Sequence, residues 1–218
     1  MSYINRDYIE RYLAGLIRFP QTQTMIKMRY MAEKEGFPIL KPEVAAFLNV
    51  LVKIKKPSFV LEIGTSIGFS GSIILQAMDT NGRLITIESN EDVLELARKN
   101  FIEQGFYERV TIISGDGSDV LNNLDDSFDF IFVDGPKAQY LLYLPNCIRL
   151  LKPGGVLVCD NVLFQGMVAS NELVHRRKIT IVKRMRKFLR HLIDVPCLET
   201  TIVPIGDGVS VSVKKEDD

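Results

Sequence analysis

Residues 61–70 read Leu61-Glu62-Ile63-Gly64-Thr65-Ser66-Ile67-Gly68-Phe69-Ser70, and this stretch decides the fold of the 218-residue chain. Its first part ends a short apolar run that predicts a β-strand, and its last part begins a helical pattern. A strand that enters a helix through a glycine turn is typical of α/β proteins with a parallel sheet. In such a sheet the carboxyl ends of the strands face one crevice, so polar residues from different strands converge there.

The pattern around this turn alternates regularly between strands and helices. Strands are predicted at residues 59–63, 84–88, 110–114, 128–134 and 156–160, with helices at 70–78, 92–104 and 141–151 between them. Helical segments precede this core, and a basic helix at 176–193 and a strand pair at 199–204 and 209–214 follow it. We therefore expect one domain over 1–218, with a helical preface at 1–55 and a Rossmann-like core at 56–214 whose doubly wound, mostly parallel sheet has seven strands.

Composition and charge exclude several classes of protein. The 27 Lys and Arg residues balance 27 Asp and Glu residues, so no overall field favours nucleic acid or a membrane surface. No stretch approaches the roughly 18 apolar residues of a membrane span. The 3 cysteines are widely spaced in apolar surroundings, which favours reduced thiols over disulfides or a zinc site. We expect a cytoplasmic protein without a membrane partner.

The glycine turn and the next strand predict a nucleoside site. Gly64 and Gly68 allow close approach of the backbone, and the helix beginning near Ser70 offers free amides to an anion. Glu88 ends the next strand about 20 residues further on, where an acid can accept both ribose hydroxyls. The turn lacks the third glycine of the dinucleotide fingerprint, so adenosine with an amino-acid tail is favoured over a nicotinamide cofactor. Alternatively, the glycines serve packing alone and Glu88 is an exposed acid.

Three oxygen-bearing side chains predict a divalent metal site at the same edge. Asp134 and Asp160 each end an apolar strand, and Asn161 adds a neutral oxygen. Two carboxylates and an amide suit Mg²⁺, which prefers hard oxygen ligands. Lys137 could hold a hydroxyl substrate or take its proton. Alternatively, Asp160 and Asn161 cap the following segment, Asp134 begins a turn with Gly135-Pro136, and Lys137 is a surface lysine.

Together these motifs resemble a known enzyme family. Leu61 to Ser70, Thr86-Ile87-Glu88, Gly115-Asp116, Phe132-Val133-Asp134-x-x-Lys137 and Asp160-Asn161-Val162-Leu163 are similar to the cation-dependent O-methyltransferases that act on catechols and caffeoyl-CoA. Within that family, residues 160–168, the Arg and Lys run after them, and residues 202–208 most resemble the bacterial tRNA 5-hydroxyuridine methyltransferases. That subgroup makes 5-methoxyuridine at the wobble position.

The resemblance implies a class I methyltransferase fold and a set of functional residues. It implies S-adenosylmethionine as methyl donor, with contacts from Leu40, Glu62, Gly64, Ser70, Glu88, Asp116, Gly117 and Asp134. It also implies ligation of Mg²⁺ or another divalent cation by Asp134, Asp160 and Asn161, with Lys137, Asp134 and Asp160 as catalytic residues. The family and the apolar N-terminal helices make a homodimer the expected assembly.

The basic segment near the C-terminus bears on the acceptor. It is rich in Lys and Arg, and its candidate RNA contacts are Arg176, Arg177, Lys178, Lys183 and Arg184. Local positive charge of this kind suits phosphates, although many such runs are solvated helix faces. We expect methylation of the 5-hydroxyl of 5-hydroxyuridine in the tRNA anticodon loop. The alternatives are a small phenolic substrate on the same core, and a nucleotide-binding or RNA-binding module without catalysis.

Overall fold

The protein is described by a computed structural model over residues 4–216. Its helices are α1 (Asp7–Leu16), α2 (Gln23–Glu35), α3 (Pro42–Lys55), α4 (Phe69–Ala77), α5 (Glu91–Glu103), α6 (Gly117–Asn123), α7 (Tyr140–Leu150) and α8 (Ile179–Asp194). Its strands are β1 (Phe59–Ile63), β2 (Arg83–Glu88), β3 (Val110–Ser114), β4 (Phe128–Val133), β5 (Leu151–Cys159), β6 (Leu198–Val203) and β7 (Val209–Lys214). Short 3₁₀ turns lie at Tyr107–Arg109, Lys137–Gln139 and Arg176–Lys178.

The strands form one sheet in the order β3-β2-β1-β4-β5-β7-β6. β1 to β5 are parallel to one another, and β7 is antiparallel to both β5 and β6. The seven-stranded, mostly parallel Rossmann-like sheet is therefore confirmed. In the register of β1, Ile63 pairs with Ile87 on one side and with Val133 on the other. Residues that follow these three positions consequently reach the same edge of the sheet.

The central strands are buried on both faces, and successive side chains enter opposite cores. Val60 and Phe132 belong to the core beneath α2 to α5, whereas Leu61 and Ile131 belong to the core beneath α6 to α8. This alternation follows from the period of two in a strand, and a strand covered on both faces is mostly apolar. It explains why β1 and β4 are apolar except for Glu62 and Asp129.

Among the elements with predicted bounds, β5 and the basic helix begin more than one residue away from the sequence-based prediction. Residues 151–155 extend β5, whereas the prediction ended a helix at 151 and started the strand at 156. Leu151 instead pairs with Phe128 across a shift in register, and Lys152 Nζ donates a 2.8 Å hydrogen bond to Asp129 Oδ1. These tertiary contacts outweigh the turn signal of Pro153-Gly154-Gly155. The predicted basic helix is also shorter, because residues 176–178 form a 3₁₀ turn.

The short helix α6 was missed by the sequence analysis. It is 7 residues long, which is too short for a helical period to stand out. Asp116 caps it, because the carboxylate Oδ1 accepts a 2.8 Å hydrogen bond from the amide of Ser118.

No helix within residues 4–216 has the combination of length and apolar character needed to cross a lipid bilayer.

We predict that Gly64→Ala strongly destabilises the fold. Gly64 has φ +102°, and a Cβ there would meet the carbonyl oxygen of Asp134 and lie 2.8 Å from its carbonyl carbon. Strain at positive φ and a clash with backbone should lower the free energy of unfolding by at least about 2 kcal/mol. Denaturant unfolding measures the change.

The matched control for this substitution is Gly15→Ala. Gly15 lies in α1, and a Cβ there meets nothing within 4 Å. Alanine should therefore leave stability unchanged or raise it slightly, by at most about 1 kcal/mol. Equal stability of the two variants would contradict the close approach of Gly64 to Asp134.

Candidate active site

A cavity of about 670 Å³ opens at the carboxyl ends of β1, β2, β4 and β5. This volume is within the usual range for a small-molecule site. Most of the site residues expected from the sequence line it: Leu40, Gly64, Ser70, Glu88, Asp116, Gly117, Asp134, Lys137, Asp160 and Asn161. Their roles stay predictions, but the fold brings them to one crevice.

The turn after β1 is fixed to the end of β2 through Glu88. Glu88 Oε2 accepts a 2.9 Å hydrogen bond from the amide of Ser66, and Oε1 accepts bonds of 2.9 and 3.0 Å from the amides of Ser89 and Asn90. These bonds hold the carboxylate at the cavity wall. Oε1 already accepts two amides, whereas Oε2 retains accepting capacity for a ribose hydroxyl.

The same turn lies directly against the loop after β4. Asp134 donates its amide to the carbonyl oxygen of Ile63 at 2.9 Å, and Gly64 lies against the carbonyl of Asp134. A side chain at position 64 would separate the two strand ends. The absence of a side chain at Gly64 therefore brings the proposed nucleoside turn next to the proposed metal ligand.

Glu62 lies behind this turn rather than on the cavity wall. It is fully buried, and Oε2 accepts a 2.6 Å hydrogen bond from Thr86 Oγ1, whose oxygen lies 2.6 Å from Thr65 Oγ1. Within residues 4–216, Glu62 Oε1 has no hydrogen-bond partner. Burial raises the pKa of Glu62 to about 7, against the hydrogen bonds from Ser70 and Thr86. Its direct contact with a cofactor stays a prediction.

The proposed metal ligands leave adjacent strands at the same level. Val133 pairs with Cys159, so the next residues, Asp134 and Asp160, are neighbours at the strand ends. The amide of Asp160 donates to the carbonyl oxygen of Val133 at 2.9 Å, and the amide of Asn161 donates to Asp160 Oδ1 at 2.6 Å. Asn161 has φ +56°, a conformation that asparagine tolerates better than most residues.

The protein offers little positive charge to balance the carboxylates of Asp134 and Asp160. Burial raises the pKa of Asp134, and burial together with the nearby charge of Asp134 raises the pKa of Asp160 to about 7. Lys137 Nζ lies 3.5 Å from Asp134 Oδ1 and is the cation that opposes the shift at Asp134. Two buried neighbouring carboxylates and one amide oxygen fit a hard divalent cation.

Protein side chains alone supply few ligands for a cation beside Asp134 and Asp160. Among the described residues, no cluster of three or more His, Cys, Asp or Glu side chains could hold a metal ion. The predicted set contributes only two side chains of these types, Asp134 and Asp160. The site therefore depends on Asn161 and on oxygens from water or substrate, and stays a prediction.

The sequence analysis did not identify two residues at this edge of the sheet, Tyr140 and Asp207. Tyr140 Oη lies 3.0 Å from the carbonyl oxygen of Asp160 and 3.2 Å from that of Val133, so it fixes the ends of β4 and β5. Asp207 lines the cavity, and its Oδ1 accepts a 2.5 Å hydrogen bond from the amide of Gln165, which also lines it. Asp207 follows no parallel strand, so the strand-end pattern could not identify it.

The five candidate RNA contacts lie outside the cavity. Arg176, Arg177 and Lys178 form an exposed 3₁₀ turn, and Lys183 and Arg184 are exposed on α8. Two of them reach loops that border the cavity. Lys178 Nζ lies 5.8 Å from the ring centroid of Phe164, next to Gln165, and Arg184 Nη1 donates a 3.4 Å hydrogen bond to the carbonyl oxygen of Ala138, next to Lys137.

Comparison with known proteins identifies the family. The sequence model of a family described as O-methyltransferase matches residues 15–215. The chain belongs to this O-methyltransferase family.

Several relatives within this group are similar over almost the whole chain. A catechol O-methyltransferase of Niastella koreensis is 28% identical over 220 residues, covering 96% of this chain and 97% of that protein. A Staphylococcus aureus structure described provisionally as a caffeoyl-CoA O-methyltransferase has 30% identity and a TM-score of 0.88, covering 95% of this chain and 100% of that one. An O-methyltransferase of Bacillus cereus, solved in complex with SAH, has 26% identity and a TM-score of 0.83, covering 95% and 97%.

We predict that the burial of Glu62 makes stability depend on pH. A folded pKa of about 7 exceeds the ordinary 4.5, so the folded state binds the proton more tightly. This stabilisation is complete below pH 4.5 and is lost as pH rises through 7. Glu62→Gln removes the titration, so the free energy of unfolding of the variant minus that of the wild type should grow by about 2 to 3 kcal/mol from pH 5 to pH 8.

Denaturant unfolding of both proteins, with chelator and without cofactor, measures this difference. A difference that stays constant across pH 5 to 8 would show that Glu62 titrates normally in the folded protein.

Proposed function

We propose that this O-methyltransferase transfers the methyl group of S-adenosylmethionine to one oxygen of an acceptor that carries two neighbouring oxygens. One observation supports this proposal above all: Asp134 contributes to both halves of the site. Its backbone lies against Gly64 in the glycine turn, and its carboxylate lies beside Asp160 and Lys137. A methyl donor at the turn and a divalent cation at the carboxylates would therefore lie side by side.

The cofactor half of the cavity supports S-adenosylmethionine as the methyl donor. Glu88 presents a fixed carboxylate for the ribose, and we assign the base to Asp116 and Gly117, which also line the cavity. The Bacillus cereus relative holds SAH, the demethylated product of this cofactor. We assign the amino-acid tail to the turn at Gly64 and Ser70, and a further cofactor contact to Leu40, which also lines the cavity.

The reaction requires a deprotonated oxygen in line with the sulfonium methyl group. Asp134, Asp160 and Asn161 would hold a divalent cation, which supplies positive charge that stabilises the acceptor oxyanion. The acceptor oxygen bonds to the methyl carbon as the carbon–sulfur bond breaks, and SAH leaves. Lys137 lies at the cavity wall, where it positions the acceptor hydroxyl or takes its proton. The main gain from the protein is proximity and alignment.

Small phenols with adjacent hydroxyls are the acceptor that the comparisons favour. The Niastella koreensis relative carries the name catechol O-methyltransferase and is similar along nearly its full length. A catechol offers one hydroxyl for methylation and a second oxygen for the cation. This acceptor requires no surface beyond the cavity.

The wobble base of tRNA is a second candidate, supported by the position of the basic surface. 5-Hydroxyuridine offers the same pair of neighbouring oxygens, its 5-hydroxyl and 4-carbonyl. Lys178 and Arg184 contact the loops next to Gln165 and Lys137, so positive charge borders the cavity mouth. Phosphates flanking an unpaired base in the anticodon loop could bind there while the base enters the cavity.

Not every basic residue of α8 is available for phosphates. Arg186 donates hydrogen bonds to the carbonyl oxygens of Val168 at 2.9 Å and Met167 at 3.0 Å, and to Asn171 Oδ1 at 2.7 Å. Its guanidinium holds the segment after Asn161 against α8. We therefore assign RNA contact to residues 176–178, Lys183 and Arg184, and a structural role to Arg186.

We also propose that a second copy of the chain covers the N-terminal helices. α1 has no buried residue and exposes Tyr8, Tyr12, Leu13 and Leu16. A contiguous apolar face of this kind is unusual on a monomer. Light scattering tests the proposal, since the mass of one chain would refute it.

Asp160→Ala should abolish methyl transfer while SAH binding stays within about twofold. The substitution removes a proposed metal ligand but leaves the glycine turn and Glu88 in place. Labelled-methyl transfer and calorimetric titration with SAH measure the two effects. Full activity in this variant would refute the metal assignment, and loss of SAH binding would indicate that the crevice had collapsed.

The acceptor is tested by offering tRNA with 5-hydroxyuridine and a simple catechol in parallel, with and without Mg²⁺. Catechol alone being methylated would establish the small-molecule function and make the basic segment a solvated face. If tRNA is methylated, replacing Arg176, Arg177 and Lys178 with Ala should reduce tRNA methylation about tenfold or more and leave any catechol methylation unchanged. Equal losses on both acceptors would contradict a role in RNA binding.

A further inference from the structure

A hydrogen-bonded chain of three side chains, Tyr143, Gln139 and Asp116, lies at the cavity wall. Tyr143 Oη contacts Gln139 Oε1 at a short hydrogen-bonding separation, and Gln139 Nε2 donates to Asp116 Oδ2 at 3.2 Å. All three residues line the cavity. Gln139 and Tyr143 have no role in the reaction described above.

The direction of these hydrogen bonds is determined by the chemistry of the groups. Burial raises the pKa of Tyr143 to about 12, so its hydroxyl keeps its proton at neutral pH and donates to Gln139. The amide oxygen of Gln139 accepts this bond, which turns the amide NH₂ toward the Asp116 carboxylate. The opposite orientation would place the amide oxygen of Gln139 against a carboxylate oxygen.

Asp116 is therefore held from two sides. Its Oδ1 accepts the amide of Ser118 at 2.8 Å, and its Oδ2 accepts Gln139. The hydrogen bonds from the Ser118 amide and from Gln139 lower the pKa of Asp116, so the group is an ionised acceptor. Each carboxylate oxygen accepts more than one hydrogen bond, which leaves capacity for a donor from the cavity.

Tyr143 also fixes the backbone next to Asp116. A Cβ at Gly117 would lie 2.9 Å from Tyr143 Oη and 3.0 Å from its Cζ, so the tyrosine packs directly on this glycine. One aromatic side chain therefore supports both the backbone of Gly117 and, through Gln139, the carboxylate of Asp116.

We propose that Gln139 and Tyr143 are positioning residues that determine which nucleoside base this enzyme accepts. They hold the Asp116 carboxylate where it accepts a hydrogen bond from an exocyclic amino group, as on adenine. A purine with a carbonyl oxygen at that position is rejected, because two acceptors would face each other. The proposal rests on the placement of S-adenosylmethionine proposed above.

The test compares two ligands that differ only at this base position. SAH carries the amino group of adenine, and S-inosyl-L-homocysteine carries a carbonyl oxygen instead. Calorimetric titration measures both dissociation constants for the wild type, Gln139→Leu and Tyr143→Phe. Asn146→Ala is the matched control, because Asn146 also ties α7 to α6, through a 2.8 Å hydrogen bond to Asn122, but does not line the cavity.

The wild type and Asn146→Ala should bind SAH at least about tenfold more tightly than the inosyl analogue. In Gln139→Leu this preference should fall to about twofold or less, mainly through weaker SAH binding. In Tyr143→Phe it should fall about threefold, because Gln139 keeps its bond to Asp116 but loses the hydroxyl that orients it.

Equal weakening of both ligands in Gln139→Leu would overturn the proposal, since a merely structural tie between α6 and α7 does not distinguish the two bases. An unchanged preference would overturn it as well. A wild type that binds neither ligand would instead refute the cofactor placement itself, and the inference with it.

Discussion

The close approach of Gly64 to the carbonyl of Asp134 is the constraint on which the rest of the site depends. Parallel pairing of β1 with β4 brings these two residues to the same level, and the amide of Asp134 completes the ladder by donating to Ile63. A side chain at position 64 would force the two strand ends apart. Because Asp134 is the shared residue, the glycine turn and the acidic corner occupy one crevice. The position of the turn thus decides both where a nucleoside would lie and how far it lies from the proposed cation.

Buried negative charge, at the cavity wall in Asp134 and Asp160 and behind it in Glu62, is the second organising feature of this crevice. Burial raises the pKa of Glu62, Asp134 and Asp160, which means that each carboxylate is held in the folded protein at a cost. A fold that retains such groups without enough internal cations is suited to cationic ligands. The ammonium and sulfonium of S-adenosylmethionine and a divalent cation would supply this positive charge. These buried carboxylates therefore lower the stability of the ligand-free protein at the positions where ligands would bind.

Strand-end acids and the glycine turn were predictable from the sequence because their signals are local. Runs of four residues, apolar except for Thr86, precede Asp134, Asp160 and Glu88 and mark the carboxyl edge of a parallel sheet. β1 and β3 are predicted with the bounds that the structure has. Tertiary contacts account for the differences. Leu151 joins β5 because it pairs with Phe128, and Asp207 reaches the cavity because its loop is bonded to Gln165. The chain from Tyr143 through Gln139 to Asp116 joins two helices, and no sequence period reports such a pairing. Family membership follows from these shared motifs, whereas the acceptor depends on surface residues that the core does not determine.

We propose that the transferred methyl group and a divalent cation lie side by side at Asp134. Mn²⁺ tests it directly, because a paramagnetic ion broadens the NMR signals of nuclei close to it. The measurement is the ¹³C-methyl resonance of S-adenosylmethionine bound to the protein, recorded without acceptor while Mn²⁺ is added. Strong broadening of the methyl signal is expected in the wild type and little in Asp160→Ala, although the cofactor binds to both. A methyl signal that stays equally sharp in both proteins at saturating Mn²⁺ would contradict this placement of the cation.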